Sequence, residues 1–152
     1  MSEHDATLTR RVLDRNITAL NARDIEAYLA NQQPDVELRL PGGVTLHGRD
    51  QLRQYMESQW SAFPDGTLTF GQQVVGEDLA ATELVFEGTN TGPMTAPDGT
   101  MPPTGRRVTI RLASILQIKD GAIASEHVYL DQLDMLTQLG LMPTTSSAEE
   151  RR

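Results

Sequence analysis

The 152-residue sequence predicts an α+β domain: a cone-shaped barrel in which three N-terminal helices pack on a curved, mostly antiparallel sheet that encloses a pocket. Three observations predict it. In the first third of the chain apolar residues recur at three- and four-residue steps, the mark of helices with one buried face. Beyond that, apolar and polar residues alternate between turn signals, the mark of half-buried strands. With helices first and strands after, the helices cover one face of a twisted sheet, and the wrapped sheet leaves an interior where a ligand can sit.

Each element follows from local chemistry. Leu8, Val12, Leu13, Ile17 and Leu20 define a helix from Ala6 to Asn21. Asp24 supplies an N-cap for a short second helix carrying Ile25, Tyr28 and Leu29, which closes before Pro34. Val36, Leu38 and Leu40, then Pro41-Gly42-Gly43, then Val44 and Leu46 read as a small hairpin. Leu52, Tyr55, Met56, Trp60 and Phe63 restore the helical period until Pro64-Asp65-Gly66 stops it. Four long strands follow at Leu68 to Val75, Leu79 to Gly88, Val108 to Ile118 and Ala122 to Leu130. The loop from Thr91 to Gly105 is too rich in proline and glycine for regular structure. Leu133, Leu136, Leu139 and Leu141 predict a short closing helix ending at Gly140, and residues 1–5 and 144–152 read as flexible ends.

Composition bounds the function. Hydrophobic residues make up 38% and charged residues 22%, ordinary values for a globular chain. The absence of cysteine removes disulfides, thiol nucleophiles and cysteine-ligated metals. A formal charge of −8 with only two adjacent basic pairs, Arg10-Arg11 and Arg106-Arg107, argues against a nucleic-acid partner. The polar start and the lack of a long apolar run argue against a membrane and point to the cytoplasm. His4, His47 and His127 lack the short spacing of a zinc site, so no metal is expected.

Three segments carry a family resemblance. The first is Phe86-Glu87-Gly88-Thr89-Asn90-Thr91-Gly92-Pro93, continued by Pro102-Pro103-Thr104-Gly105-Arg106-Arg107-Val108. The second joins Asp120-Gly121-Ala122-Ile123, His127-Val128-Tyr129-Leu130-Asp131 and Gln138-Leu139-Gly140-Leu141; the third is Phe63-Pro64-Asp65. In order and spacing they resemble the SnoaL-like polyketide cyclases, or ester cyclases, of the nuclear transport factor 2-like superfamily. The resemblance implies one domain over residues 1–152 and a homodimer working in antibiotic-type secondary metabolism. It implies a small hydrophobic carbonyl-containing substrate and an intramolecular aldol closure without metal or cofactor. It also implies an aspartate at the end of the last long strand as acid and base, a position held here by Asp131. The chain departs from the family at Asn90, where histidine is frequent, and at His127, near a frequent tryptophan.

Alternation along the last strand puts Ile123, Ser125, His127, Tyr129 and Asp131 on one side and Glu126, Val128 and Leu130 on the other. If the first face looks into the cone, Asp131, His127 and Tyr129 form the catalytic group. A carboxylate in an apolar cavity is costly to ionise, so its pKa rises toward the range where it can remove and return a proton. Asn90, Tyr129 or His127 would then hydrogen-bond the developing enolate. Asp131 also stands where the cap of the closing helix belongs, His127 equally suits a neighbouring carboxylate, and Tyr129 suits a core aromatic. Trp60, His47, Met94 and Met101 complete the candidate substrate contacts; core or rim suits Trp60 and His47 as well, and loop filling suits the methionines. Two other functions stay open: a non-catalytic small-molecule binding protein, and an epoxide hydrolase-like or dehydratase activity.

Overall fold

The structure is a computed structural model that describes residues 3–96 and 99–142. Helix α1 (Glu3–Ala22) is followed by α2 (Ile25–Ala30), β1 (Gln32–Leu40), β2 (Val44–His47) and α3 (Gly48–Ala62). Then come β3 (Thr67–Val75), β4 (Leu79–Thr89), β5 (Met94–Ala96), β6 (Gly99–Met101), β7 (Arg107–Lys119), β8 (Ala122–Leu130) and α4 (Gln132–Gln138). Of the ends expected to be flexible, Glu3 to Asp5 belong to α1, and residues 144–152 lie outside the described residues.

Six strands form one curved sheet in the order β2-β1-β8-β7-β4-β3. β2 and β3 are its free edges, so the curved, mostly antiparallel sheet that was expected is open. The long β3-β4-β7-β8 meander is antiparallel, joined between β7 and β8 by a turn in which Asp120 (φ 50°) and Gly121 (φ 76°) both take positive φ. Two positive φ values define the tight hairpin turn whose twist suits its strands.

β1 starts at Gln32, four residues before the expected Val36, and runs parallel to β8 with Leu38 beside Glu126. Pro34 is tolerated there because the β1–β8 register shifts between Gln32 and Glu37, a local irregularity that frees a ladder position. The breaker-rich loop also holds order: β5 and β6 pair with Met94 opposite Met101 in a small separate ribbon.

Two apolar clusters hold the layers together. The larger joins Val12, Leu13, Tyr28, Leu29 and Leu52 of the helices to Val36, Leu38, Leu116, Ile118 and Ile123 of the sheet. The smaller, under α4, joins Ala62, Phe63, Val108, Ile110 and Leu139, with Phe63 and Phe86 edge to face at 5.1 Å. Gly92 lets the loop press on the end of α3, since a Cβ there would stand 2.0 Å from the Ser61 carbonyl oxygen. Among the described residues no helix is long and apolar enough to cross a membrane.

Candidate functional site

The curved sheet has an inner face toward the helices and an outer face away from them, and strand register assigns each side chain. On β7 the even residues Val108, Ile110, Ser114, Leu116 and Ile118 are buried, whereas Arg107, Thr109, Arg111, Ile115 and Gln117 are exposed. Register matches Leu116 to Glu126 and Ser114 to Val128, so Glu126 and Val128 point inward. His127 and Tyr129 pair with Ile115 and Ala113 and therefore point outward.

That corrects the expectation that Asp131, His127 and Tyr129 converge inside the cone. The Tyr129 hydroxyl and His127 Nδ1 are hydrogen-bonded at 2.8 Å, and the rings stack at 4.0 Å, but Tyr129 is 49% exposed on the outer face. Asp131 is exposed, and its carboxylate accepts from the Asp134 backbone N–H at 3.0 Å as the N-cap of α4. Replacing Asp131 with alanine is expected to lower stability by about 1 kcal/mol through the lost cap. Turnover should stay near wild type, and thermal unfolding beside an activity assay checks both.

Asn90 is engaged by the backbone. It is fully buried, its Nδ2 donates to the carbonyls of Ala62 (3.1 Å) and Gly92 (2.9 Å), and its Oδ1 accepts from the Thr104 N–H (2.7 Å). Its backbone bonds Arg106 and Gly105, so it clamps both ends of the excursion between β4 and β7. A neutral amide suits that work, because it donates and accepts from one side chain.

The remaining candidates are scattered. Trp60 is half-buried on α3, and its carbonyl accepts from Arg23. Met94 packs against the cluster under α4, opposite the half-buried Met101. His47 is exposed at the end of β2, beside Glu37, and its backbone N–H donates to the Gln51 side chain.

The acid on the inner face is Glu126. It lies between Leu38 on β1 and Leu116 on β7, which are 4% and 1% exposed. Burial pushes its carboxyl above the usual carboxylate range, opposed in part by a hydrogen bond from the Ser114 hydroxyl. Two phenols from the helical layer stand close enough to feel its charge. Tyr28 on α2 is 3% exposed, and burial, then Glu126, raise its pKa well above the ordinary tyrosine value. Tyr55 on α3 is pushed up to about 12 by the same two causes.

Both phenols therefore keep their protons at physiological pH and remain donors. Glu126 as a residue is half-buried on the inner face of β8. Two surface concavities lie elsewhere: about 460 Å³ between α1 and α2, and about 350 Å³ on the outer face by Glu83, Arg111 and Tyr129. Neither is lined by Glu126. The chemistry, a poised carboxyl with two protonated phenols, marks the site better than the size of a surface hollow.

The sequence did hold a signal for Glu126. It is the one charged residue on the strand face shared with Val128 and Leu130. The polar side of an amphipathic strand is ordinarily its solvent side, whereas a lone carboxylate on the apolar side must be explained by burial with partners or by chemistry.

Comparison with known proteins agrees with the fold. The family model for SnoaL-like polyketide cyclase matches residues 10–139, and the chain belongs to that family. A protein assigned as a SnoaL-like polyketide cyclase from Jannaschia sp. CCS1 superposes with a TM-score of 0.78 at 17% identity, over 90% of this chain and 94% of that one. IdmH from Streptomyces antibioticus, assigned as a polyketide cyclase, gives 0.71 at 27% identity, over 87% and 98%. A protein from Kribbella flavida assigned as a ketosteroid isomerase gives 0.63 at 20% identity, over 82% and 78%. Among curated proteins no sequence matches this chain. The family and the likeness to IdmH support a cyclase-type role.

Proposed function

We propose that the protein is a cofactor-independent cyclase or isomerase that uses Glu126 as acid and base on a small hydrophobic carbonyl compound. The reading rests on the strand register that turns Glu126 inward between Leu38 and Leu116, where burial holds its carboxyl above the ordinary range, and on two phenols of the helical layer that feel its charge and stay protonated. Ionised Glu126 removes a proton from carbon beside the substrate carbonyl. The electron pair moves onto the carbonyl oxygen, where a Tyr28 or Tyr55 hydroxyl donates to the enolate. In ring closure the enolate carbon attacks a second carbonyl of the same molecule, and the new alkoxide takes the proton back from Glu126. In isomerisation the proton returns to a different carbon. Either way, the carboxyl ends as it began.

A panel of linear and aromatic polyketide-like carbonyl compounds, assayed for binding and turnover with wild type and Glu126→Gln, tests this. Conversion by wild type and binding without conversion by the variant support the reading. Binding by both with conversion by neither would make the protein a binding module. Turnover surviving in the variant would remove Glu126 from the chemistry.

We also propose a homodimer formed through the outer sheet face. Val74, Ala81, Ile115 and His127 make one row across β3, β4, β7 and β8, and Val74 and Ile115 are 72% and 42% exposed. Tyr129 and Leu79 extend this apolar patch. Burying it against a second copy would gain about 25 cal/mol per Å² of apolar surface. Sedimentation should give a dimer that Ile115→Glu shifts to monomer; a monomeric wild type would contradict it.

A further inference from the structure

Near where α1, the end of α2 and the start of β1 meet, three amide side chains are each buried. Asn16, Asn31 and Gln32 are 5%, 4% and 1% exposed. Asn16 Oδ1, Asn31 Oδ1 and Gln32 Nε2 have no hydrogen-bond partner among the described residues. A buried unpaired polar atom costs about 1–3 kcal/mol, and three at one junction are unusual enough to need an explanation.

Their placement is well defined. Asn31 Nδ2 donates to the Val12 carbonyl at 2.8 Å, which holds the Asn31 side chain against α1 and fixes which end of its amide is the free oxygen. Asn16 stands one helical turn beyond Val12 on the same face of α1, where i and i+4 residues are neighbours. Gln32 follows Asn31 directly and lies in register with the fully buried Ile123, so its side chain belongs to the interior.

The valences are complementary. Two of the free atoms accept and one donates, and a water molecule can donate two hydrogen bonds while accepting one. Buried waters typically make about three bonds to otherwise unsatisfied groups. The geometry points to a dedicated internal water site held by Asn16, Asn31 and Gln32, with the water donating to both Oδ1 atoms and accepting from Gln32 Nε2. Asn31 also lines the roughly 460 Å³ concavity between α1 and α2.

The site bears on α2 as well. The Asn31 backbone N–H caps that six-residue helix by donating to the Tyr28 carbonyl at 3.3 Å. A bridging water therefore ties the end of the segment that carries Tyr28 to α1 and β1. This holds whether or not Glu126 is the reacting group.

Paired NOE and ROE spectra at the water frequency on the ¹⁵N-labelled full chain test the site. The expected result is a cross-peak from water to the Gln32 side-chain amide protons that is opposite in sign between the two experiments, as dipolar contact requires and proton exchange does not produce. Gln32→Met, which keeps the length and removes the donor, should lose one long-lived water in ¹⁷O relaxation dispersion. If that variant does not fold, the wild-type spectra decide alone. Absence of the dipolar peak, or a high-resolution crystal structure with Gln32 Nε2 bonded directly to Asn16 or Asn31, would overturn the site.

Discussion

Replacing Glu126 with glutamine is expected to reduce turnover by about 10²–10⁴-fold and, in the same molecule, to raise the melting temperature at neutral pH. The first effect is the loss of a group that takes and returns a proton, since an amide of the same shape does neither. The second follows from linkage. Burial raises the folded-state pKa of Glu126, so between the unfolded and folded values the folded chain binds more protons than the unfolded chain. The stability associated with this group is fully present below the unfolded value, is lost as pH rises through the folded value, and stays lost at neutral pH. A neutral amide escapes that loss. Kinetics and thermal unfolding on the same preparation check both arms; a variant that keeps its turnover, or melts lower at neutral pH, contradicts the account.

The opposite pattern is expected at Asn90. Replacing it with alanine removes three hydrogen bonds at a fully buried position and leaves the Ala62 and Gly92 carbonyls and the Thr104 N–H without that partner. The expected cost is about 3 kcal/mol, which for a chain of this size is about 6–12 °C in melting temperature. Turnover measured well below the new melting point should remain within a few-fold of wild type, because Asn90 is fully buried and its amide holds backbone groups. A large loss of turnover with little loss of stability would instead return Asn90 to the list of ligand contacts.

These two residues show what was legible in the sequence and what was not. The strand from Ala122 to Leu130 was read with its observed boundaries, because alternation and the Asp120-Gly121 turn are local signals. Alternation also sorted Glu126 and His127 onto opposite faces correctly. Which face looks inward is a tertiary fact, set by how β8 pairs with β7 and β1, and the expectation took the more polar face for the interior. The parallel β1–β8 pairing had no local signal, since only the order of strands in the folded sheet reveals it. Tyr28 and Tyr55 read as members of amphipathic helices, which they are; their relation to a carboxyl far along the chain depends on the layer packing.

Asp131 illustrates a different limit. Its cap role was visible from its place just before the closing helix, and the structure shows that bond. The family resemblance argued for an aspartate at the end of the last long strand, the place of Asp131; a second acid, Glu126, lies five residues earlier within β8. Burial separates them: one lies half-buried on the inner face between Leu38 and Leu116, and the other caps a helix in solvent.

The central claim is that Glu126 is the poised interior acid. A ¹³C-detected pH titration of the Glu126 carboxyl, assigned by comparison with Glu126→Gln, tests it without any substrate. The account predicts a midpoint above the ordinary glutamate value of 4.5. A midpoint at or below that value would contradict the assignment of the site.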